Sequence, residues 1–352
     1  MKVKVIGCGL IGTSIALKLK DEGHKVWVAD TNKRNQALAQ DLLANSEARP
    51  EFFDLIVIAT PISEVVKVIS NLKEFNENSI VIDIGGLKSK LLLEVEKFPD
   101  LAKVYISAHP MAGREISGPE SARSDLFEGR AWLVVPTALS SELVISRAME
   151  IGKILGAASY RLTAEEHDSI IASISHMPQI LGSLMGSLIE DESQENLNFA
   201  GQGLRDVSRL AQSDPSMWGG LLINNREQVI RRIKNSISLL TSLRDALERE
   251  DIKAVRAFLE RGKSGREKIP GKHGGKARDY SYLPIVIDDK PGQLAKIFDE
   301  CALCNVNVED LSIEHSPNQA TGLITLALSN SDAEKLKQHM QNKGWRAQEI
   351  RK

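Results

Sequence analysis

The segment VKVIGCGLIGTS, residues 3–14, decides the fold of the first part of the chain. An apolar β-branched run ends at three glycines spaced as G-x-G-x-x-G, and an apolar helical pattern follows. Gly7 permits a tight turn, Gly9 lets a pyrophosphate approach the backbone, and Gly12 lets the helix pack on the strand. The N–H groups and positive dipole end of that helix would hold the phosphates. The segment therefore predicts a dinucleotide-binding site.

The choice of dinucleotide depends on Asp30, which ends the second predicted strand. A carboxylate there accepts hydrogen bonds from a ribose 2′-hydroxyl and repels a 2′-phosphate, so NAD is favoured. Lys33 and Arg34 follow soon after and leave NADP as the alternative. The predicted cofactor-binding residues are Gly7, Gly9, Leu10, Ile11, Gly12, Asp30, Thr60 and Pro61.

Six β-branched segments predict the strands of one sheet in this first part. Their nearly continuous Val/Ile runs are typical of strands buried on both faces, as in a parallel sheet covered by helices. The segments between the first five leave room for crossover helices. We therefore expect an α/β, Rossmann-type, doubly wound parallel sheet over residues 1–162. The predicted strands are 2–7, 25–30, 54–60, 79–85, 103–109 and 130–136.

The pattern becomes helical at Thr163, where TAEE (163–166) reads as a capping box. Beyond it, apolar residues recur at alternating spacings of four and three, which predicts one long helix that Pro178 should kink. We expect an all-helical domain over 163–262 and a homodimer, because a second subunit would bury so broad an apolar face. The apolar stripe consists of Ile170, Ile174, Met177, Leu181, Leu184 and Leu188.

The C-terminal part begins with residues 263–279, rich in Gly, Lys and Arg, which we expect to be a flexible linker. Residues 280–352 then alternate as βαββαβ, the order of a ferredoxin-like sandwich. Cys301 and Cys304 form C-x-x-C late in an amphipathic helix and not at a thioredoxin-like turn. Buried apolar cysteines are therefore expected there.

Composition excludes several classes of protein. A formal net charge of -2 gives no general attraction to nucleic acid or to an anionic membrane. No apolar run approaches the ~20 residues of a membrane span, and the N-terminus does not resemble a signal peptide. Three cysteines make no disulfide framework, which favours the cytoplasm. The seven histidines include no i, i+4 pair, so no metal site is predicted.

Two constellations could carry chemistry. His109 ends a predicted sheet strand, where ligands of open α/β sheets lie, and it could take a proton from a substrate hydroxyl while hydride leaves the same carbon. The alternative is a histidine that only caps the strand. Arg205 and Arg209 are four apart, so one helix face could present both to substrate carboxylates. A surface ion pair with Asp206 is the alternative.

Four motifs together resemble the prephenate and arogenate dehydrogenases of tyrosine biosynthesis. They are the glycine turn, AHPMAG (108–113), SHMP (175–178) and the run from Gly201 through RDVSRLAQSDPSMW (205–218). The resemblance covers residues 1 to about 260 and implies oxidative decarboxylation of prephenate to 4-hydroxyphenylpyruvate with NAD. It assigns His109 as the base, Arg209 to the ring carboxylate and Ser175 to the pocket. Further substrate-binding candidates are Gln179, Arg205, Trp218 and Gly86.

Two positions depart from the family pattern. Gly86, in DIGGLK (83–88), stands where the family usually has the serine of D-x-x-S-x-K, so a water or Ser89 would substitute, or the histidine is positioned differently. Gln179 stands where prephenate-preferring members often have a histidine. Arogenate therefore remains an alternative substrate, and Gly86 also leaves open a catalytically inactive, amino-acid-sensing protein. A β-hydroxyacid type of dehydrogenase is disfavoured by the motif combination.

The last 70 residues resemble an ACT domain, a module that binds amino acids at domain interfaces. This implies feedback regulation by an amino acid, tyrosine being expected, at a site formed with a partner ACT domain. The alternative is a module that only dimerises. The effector-binding candidates are Asp289, Gly292, Asn305 and Asn307.

Overall fold

The computed structural model describes residues 1–44, 48–112, 118–269, 280–314 and 320–351. The chain divides into two compact units, Met1–Arg256 and Ala257–Lys352. Each unit contains its own β-sheet and its own apolar core. Within the described residues, no helix combines the length and the apolarity needed to cross a membrane.

The first unit is built on a seven-stranded sheet with the order β2-β1-β3-β4-β5-β6-β7. Strands β2, β1, β3, β4 and β5 run parallel to one another, which confirms the predicted α/β class and its parallel sheet. Every residue of β3 and β4 is buried, as strands covered on both faces require. The strands are β1 (Lys2–Ile6), β2 (Lys25–Ala29), β3 (Leu55–Ile58), β4 (Ile80–Asp83), β5 (Tyr105–Pro110), β6 (Ala131–Pro136) and β7 (Ala158–Arg161).

Strand β6 differs from the expectation because it runs antiparallel to β5, pairing Ile106 with Pro136 and Pro110 with Trp132. A parallel neighbour needs a crossover helix, whereas the described part of this connection holds only a short 3-10 turn, Pro119–Ser121. Strand β7 was not predicted. It is an edge strand of four mostly exposed residues, and so lacks the apolar pattern of a buried strand.

Helices cover both faces of this sheet. One face packs against α1 and α6 around Ile15, Leu19 and Ile151, and the other packs against α3, α4 and α5 around Val65 and Leu101. The doubly wound arrangement follows from these two cores. The helices are α1 (Leu10–Asp21), α2 (Lys33–Leu43), α3 (Ile62–Ser70), α4 (Ser89–Val95), α5 (Pro99–Val104) and α6 (Glu142–Ile154).

The rest of the first unit is helical, as predicted. The capping box is present: Thr163 N–H donates to Glu166 Oε2 at 2.8 Å, and Glu166 N–H donates to Thr163 Oγ1 at 3.2 Å. The helices are α7 (Ala164–Ile171), α8 (Met177–Leu188), α9 (Gln194–Leu197), α10 (Gln202–Ser208), α11 (Pro215–Asn224) and α12 (Arg226–Glu248). A further helix, α13 (Ile252–Glu267), begins in the first unit and continues into the second.

The predicted long helix is interrupted. A π-helical turn, Ala172–His176, separates α7 from α8 directly before Pro178. The proline ring has no N–H to donate and crowds the preceding turn, so the helix widens there instead of continuing regularly. The kink was expected at Pro178, and the structure places the irregularity just before it.

The apolar stripe on α8 is only partly covered within the chain. Met177 is buried, whereas Leu181, Leu184 and Leu188 are 46%, 44% and 66% exposed. The other side of α8 packs closely on the segment after α10. The close approach is evident at Gly182 and Gly186, where an added Cβ atom would press against Leu210 and Ala211. One face of α8 therefore remains an uncovered apolar surface.

The predicted linker is shorter than expected, because α13 continues through residues 263–267. Lys, Arg and Glu are good helix formers, and they outweigh the glycines Gly262 and Gly265 here. Residues 270–279 lie outside the described residues. The domain boundaries at 162, 262 and 279 remain predictions.

The second unit has the predicted βαββαβ order and an antiparallel sheet with the order β11-β8-β10-β9. Both helices pack on one face around Ile285, Ile324 and Leu336. Cys301 and Cys304 are buried free thiols in this core, as expected, and burial raises the pKa of Cys301 to about 11. The elements are β8 (Ser281–Asp288), α14 (Gln293–Leu303), β9 (Asp310–Glu314), β10 (Thr321–Leu328), α15 (Asn330–Asn342) and β11 (Arg346–Ala347).

Candidate active site

The glycine turn has the geometry that a dinucleotide requires. Gly7 has φ of 104°, and a Cβ there would lie 2.5 Å from the Ala59 carbonyl oxygen. A Cβ at Gly12 would collide with the Gly7 carbonyl, so both positions need glycine. Gly9 has no atom within 4 Å of its would-be Cβ and caps the N-terminus of α1. The turn thus leaves an open cradle in which N–H groups at the start of α1 could donate hydrogen bonds to phosphates. Leu10 and Ile11 are the first residues of that helix.

Asp30 lies beside this cradle. Its carboxylate accepts the Cys8 N–H at 2.6 Å through Oδ2 and the Asn32 N–H at 2.7 Å through Oδ1. Each oxygen retains acceptor capacity for a ribose hydroxyl. Burial and the Asp30 charge raise the pKa of the Cys8 thiol to about 12, so this cysteine is not a nucleophile.

Thr60 follows β3 at the same edge, and Pro61 precedes α3. The Thr60 hydroxyl is buried without a hydrogen-bond partner. Such orphaned groups are uncommon in native structures. This hydroxyl and the open cradle both fit a bound dinucleotide at the predicted position.

His109 lies near the end of β5 and belongs to a chain of hydrogen bonds. Its Nδ1 is 2.9 Å from His167 Nε2, and His167 Nδ1 is 2.9 Å from Asp168 Oδ1. The carboxylate can only accept, so His167 carries its proton on Nδ1 and accepts through Nε2. His109 must then donate from Nδ1, which leaves its Nε2 as an acceptor. The chain fixes the tautomer that a general base needs.

Burial keeps His109 neutral, and the nearby positive charge of Lys88 adds to the effect. Burial lowers the pKa of His109 well below its ordinary range, and the nearby Lys88 charge lowers it further. Burial also lowers the pKa of His167. Burial opposes ionisation of Asp168, but hydrogen bonds from His167 and Ser89 outweigh it and lower the pKa of that carboxyl. The site therefore pairs an ionised carboxylate with neutral imidazoles.

Asp168 also joins the helical part to the sheet. Its two oxygens accept the backbone N–H groups of Lys88 at 3.0 Å and Ser89 at 2.9 Å, at the start of α4. Asn225 Nδ2 donates to the Asp168 carbonyl at 2.8 Å and lies 3.3 Å from His176 Nδ1. One residue thus sets the position of α7 against the loop that carries Gly86.

Lys88 is fully buried and bridges the ends of β4 and β5. Its Nζ donates to the Ala108 carbonyl at 2.6 Å, to the Gly85 carbonyl, and to Asp83 Oδ2 at 3.3 Å. Asp83 in turn accepts the Tyr105 hydroxyl at 2.8 Å. Burial lowers the pKa of Lys88, and the Asp83 charge opposes that shift. This network fixes the backbone immediately before His109.

Gly86 lies directly against His109. A Cβ at Gly86 would be 3.7 Å from both Cε1 and Nε2 of the imidazole, and 3.8 Å from Leu221 Cδ2 on α11. Position 86 therefore adjoins the histidine in the fold. Because position 86 is glycine, it provides no side chain to contact His109.

One further predicted residue, Trp218, lies on the same chain of contacts, and another, Ser175, directly precedes a member of it in the sequence. Ser175 is in the π-helical turn, and the neighbouring His176 ring meets the Trp218 ring edge-on at 6.0 Å between centroids. His176 is buried and contacts Asn225. Contacts thus run from Trp218 through His176 and Asn225 to the Asp168 group.

Gln179 is 5% exposed and links two segments. Its Nε2 donates to the Leu210 carbonyl at 2.8 Å, and its Oε1 is buried without a partner. Arg209 directly precedes Leu210, so α8 holds the backbone beside this arginine. Gln179 therefore positions the segment as well as carrying an unused acceptor.

The arginine pair differs from the expectation. Helix α10 ends at Ser208 and Arg209 starts a 3-10 turn, Arg209–Gln212, so the two arginines do not share one α-helical face. The Arg205 guanidinium donates to the Ala200 carbonyl at 2.9 Å. Asp206, proposed as an ion-pair partner, accepts the Gln202 side-chain amide at 2.8 Å.

Sequence reasoning missed His167, Asp168, Lys88 and Asn225. His167 is four residues before the buried Ile171, so both lie on one helix face. A polar residue on a buried helix face was the available signal. Lys88 stood in the quoted run DIGGLK, where only Gly86 was considered. The described residues hold no group of three or more His, Cys, Asp or Glu side chains placed to bind a metal ion.

The effector candidates do not lie together in the second unit of a single chain. Gly292, with φ of 85°, precedes α14, whereas Asn305, with φ of 50°, follows its end. An 11-residue helix is about 16 Å long. Asp289 N–H donates to the Ala320 carbonyl, and Asn307 donates to Glu309. A site using both ends of α14 would need a second module.

The fold and the site define the class of protein. An open glycine turn and a tautomer-fixed histidine at the carboxyl edge of a doubly wound sheet are the features of a dinucleotide-dependent dehydrogenase. Two family models match the chain: the nucleotide-binding domain of prephenate dehydrogenase over residues 15–161, and its dimerization domain over residues 163–261.

The chain belongs to the prephenate dehydrogenase family. It is 30% identical to a probable prephenate dehydrogenase, NovF, of Streptomyces niveus, with 97% of this chain and 98% of that protein covered. It is 24% identical to the prephenate dehydrogenase of Bacillus subtilis, over 95% of this chain and 93% of the relative. These findings confirm the family resemblance and the assignment as an oxidoreductase.

Solved structures agree with this. Prephenate dehydrogenase from Aquifex aeolicus, in a complex with hydroxyphenyl propionate and NAD+, superposes with a TM-score of 0.69 at 26% identity, covering 76% of this chain and 97% of that one. Synechocystis arogenate dehydrogenase has the same fold, with a TM-score of 0.68 at 23% identity, covering 76% and 99%.

Proposed function

We propose that this protein catalyses the NAD-dependent oxidative decarboxylation of prephenate to 4-hydroxyphenylpyruvate. The observation that carries the proposal is the hydrogen-bonded chain from Asp168 through His167 to His109, which leaves an acceptor nitrogen at the sheet edge that also holds the glycine turn. Family membership supports the same reaction.

In this proposal His109 Nε2 accepts the proton of the substrate's ring hydroxyl. NAD, when bound, supplies the hydride acceptor for the carbon that bears this hydroxyl. Loss of carbon dioxide then makes the ring aromatic, and its oxygen takes the proton back from His109. The Asp168 carboxylate stabilises the imidazolium that exists between these two proton transfers, and His167 holds the ring in its orientation. The proton therefore returns to the product oxygen, and the reaction neither consumes nor releases it.

The cofactor would be held by the start of α1 and by Asp30. Phosphates suit the open backbone at Gly9, and the Asp30 carboxylate suits ribose hydroxyls. The same carboxylate would repel a 2′-phosphate, which supports NAD over NADP. Thr60 and Pro61 lie at the adjacent strand end.

Arg209 is proposed to bind the ring carboxylate, with Ser175 and Trp218 lining the pocket. Arogenate is the second candidate substrate, and Gln179 is the observation that favours it. The Gln179 amide nitrogen is occupied by Leu210, so its free Oε1 is an acceptor. An acceptor suits the ammonium of arogenate better than the keto group of prephenate.

We also propose a homodimer and a regulatory second unit. The exposed apolar face of α8 and the match to a dimerization domain support the dimer. The βαββαβ order of the second unit supports an ACT-like module that would bind an amino acid, tyrosine being the expected effector. Because Gly292 and Asn305 lie at opposite ends of α14, this site would form between two modules.

The test is reduction of NAD and of NADP by the purified protein, offered prephenate and arogenate separately, with and without tyrosine. Prephenate turnover with NAD that tyrosine suppresses is the expected result. A preference for arogenate would assign specificity to Gln179. No turnover of either substrate would contradict the proposed reaction and favour an amino-acid-sensing protein.

A further inference from the structure

The backbone N–H of Asp30 is held by a side chain and not by the sheet. Strand β2 lies at the edge of the sheet, and its residues bond alternately toward β1 and away from it. The Ala29 carbonyl accepts the Gly7 N–H at 2.8 Å, so the next residue, Asp30, directs its N–H away from β1. That N–H donates to Oε1 of Gln36, on α2, at 3.2 Å. Helix α2 therefore fixes the backbone of the residue that carries the proposed ribose-binding carboxylate.

Gln36 occupies a position on α2 where an apolar residue would be expected. It lies three and seven residues before Ala39 and Leu43, which are both buried, so it belongs to the inner face of the helix. Gln36 itself is half-buried. A polar side chain on such a face loses contacts with water, and the hydrogen bond to Asp30 compensates for that loss.

The hydrogen bond from Asp30 to Gln36 closes a ring of three. The Gln36 N–H donates to the Asn32 carbonyl at 3.0 Å, and the Asn32 N–H donates to Asp30 Oδ1 at 2.7 Å. Outside the ring, Asp30 Oδ2 accepts the Cys8 N–H of the glycine turn at 2.6 Å. Each carboxylate oxygen keeps acceptor capacity, and the ring fixes the place from which that capacity is offered.

We propose that Gln36 is a positioning residue for the adenosine ribose of NAD. It acts through Asp30, whose backbone it holds. The inference rests on the proposed cofactor site, in which the Asp30 carboxylate accepts ribose hydroxyls. Hydrogen bonds weaken steeply as their angle departs from the preferred range, so a carboxylate on a backbone that can shift accepts these hydroxyls less well. Gln36 thus contributes to the selectivity of the site for the 2′-hydroxyl.

The test compares the Kd for NAD with the Kd for the NAD analogue whose adenosine lacks the 2′-hydroxyl, measured by calorimetry without substrate. The wild type should bind NAD about tenfold or more tightly, because the analogue lacks one hydrogen bond to a charged group. Gln36→Met keeps the length of the side chain but removes the acceptor, so this ratio should fall to about threefold or less. Gln36→Glu keeps an acceptor oxygen and should restore the wild-type ratio. Gln40→Met, exposed on the next turn of α2, is the matched control and should keep it.

The ratio separates positioning from a general effect on the protein. Both ligands are measured on the same preparation, so partial unfolding, or the added charge in Gln36→Glu, acts on both alike. A wild-type ratio in Gln36→Met, or a Gln36→Glu ratio no higher than that of Gln36→Met, would overturn the positioning role. Equal Kd values for both ligands in the wild type would overturn it as well, because Asp30 would then not bind this hydroxyl.

The same measurement distinguishes failure of this role from failure of the proposed reaction. Binding of the two ligands requires no turnover. If neither prephenate nor arogenate is oxidised but the binding ratios are as expected, the proposed reaction is wrong and the role of Gln36 is supported.

Discussion

His167 Nε2 lies 2.9 Å from His109 Nδ1, and this single contact decides which nitrogen of His109 faces the substrate. The two histidines come from different layers of the first unit, one near the end of β5 and the other from α7. Asp168 completes the chain and also binds the start of α4. The orientation of the base therefore depends on how the helical part docks on the sheet.

Replacing His167 with Gln should lower kcat by about 10²-fold or more, because the base loses its fixed tautomer and orientation. His167 also lowers the pKa of His109, so the acid limb of the rate profile should move to higher pH. Steady-state kinetics across pH would measure both effects. His339→Gln, in the second unit, is the matched control. An unshifted acid limb would mean that His167 is only structural.

Replacing Lys88 with Met should destabilise the first unit by about 3–5 kcal/mol, because Asp83 would be left buried with its charge unpaired. Urea unfolding would measure the change. Lys90→Met is the control, since Lys90 is exposed on α4, two residues further along the chain, and its loss should cost within about 0.5 kcal/mol. Equal stabilities of the two variants would contradict the bridging role of Lys88.

The rate should persist as the pH falls to about 6.5, the ordinary pKa of histidine. Burial lowers the pKa of His109, so the base stays neutral until the pH falls below that value. The acid limb of kcat/KM therefore lies below pH 6.5. An acid limb centred above 6.5 would show that the base is not this buried imidazole.

Stability must be followed in the same titration. A lowered folded-state pKa means that the unfolded chain takes up the proton first as the pH falls. The neutral His109 and His167 therefore contribute fully to the free energy of unfolding above about pH 6.5. That contribution is lost as the pH falls toward the lowered pKa values of the two histidines in the folded protein. Circular dichroism would separate this loss from the loss of rate.

Replacing Leu184 and Leu188 with Glu should convert a dimer into monomers. Both side chains are exposed on α8, and carboxylates there would be buried without partners in a dimer. Sedimentation velocity would measure the mass. Leu143→Glu is the control, because Leu143 is 62% exposed on α6, outside the helical domain. A variant that remains dimeric would place the interface elsewhere.

The elements that the sequence predicted correctly are those marked by short, local sequence patterns. Strands β1 to β5, the glycine turn, the capping box at Thr163 and the βαββαβ order all depend on short patterns, and the structure confirms them. Strand β6 was also predicted, but its antiparallel direction was not, because the direction of pairing depends on the connection and not on the strand itself.

The residues of the candidate site were harder to predict from the sequence than the secondary structure was. His109 was identified because it ends a predicted strand, where ligands of open α/β sheets lie, and Gly86 because the family resemblance places a serine at that position. His167, Asp168, Lys88 and Asn225 were missed because only tertiary docking makes them neighbours. The prediction that Arg205 and Arg209 share one α-helical face was wrong for a local reason, since the change from α10 to a 3-10 turn at Arg209 has no clear sequence signal.

The role of His109 is tested most directly by comparing His109→Asn with the wild type, measuring NADH formation from prephenate together with the Kd for NAD. Turnover should fall by about 10²-fold or more while NAD binding is retained, because His109 would adjoin the reacting hydroxyl and the glycine turn would hold the cofactor. Turnover within tenfold of the wild type would contradict the assignment of His109 as the base.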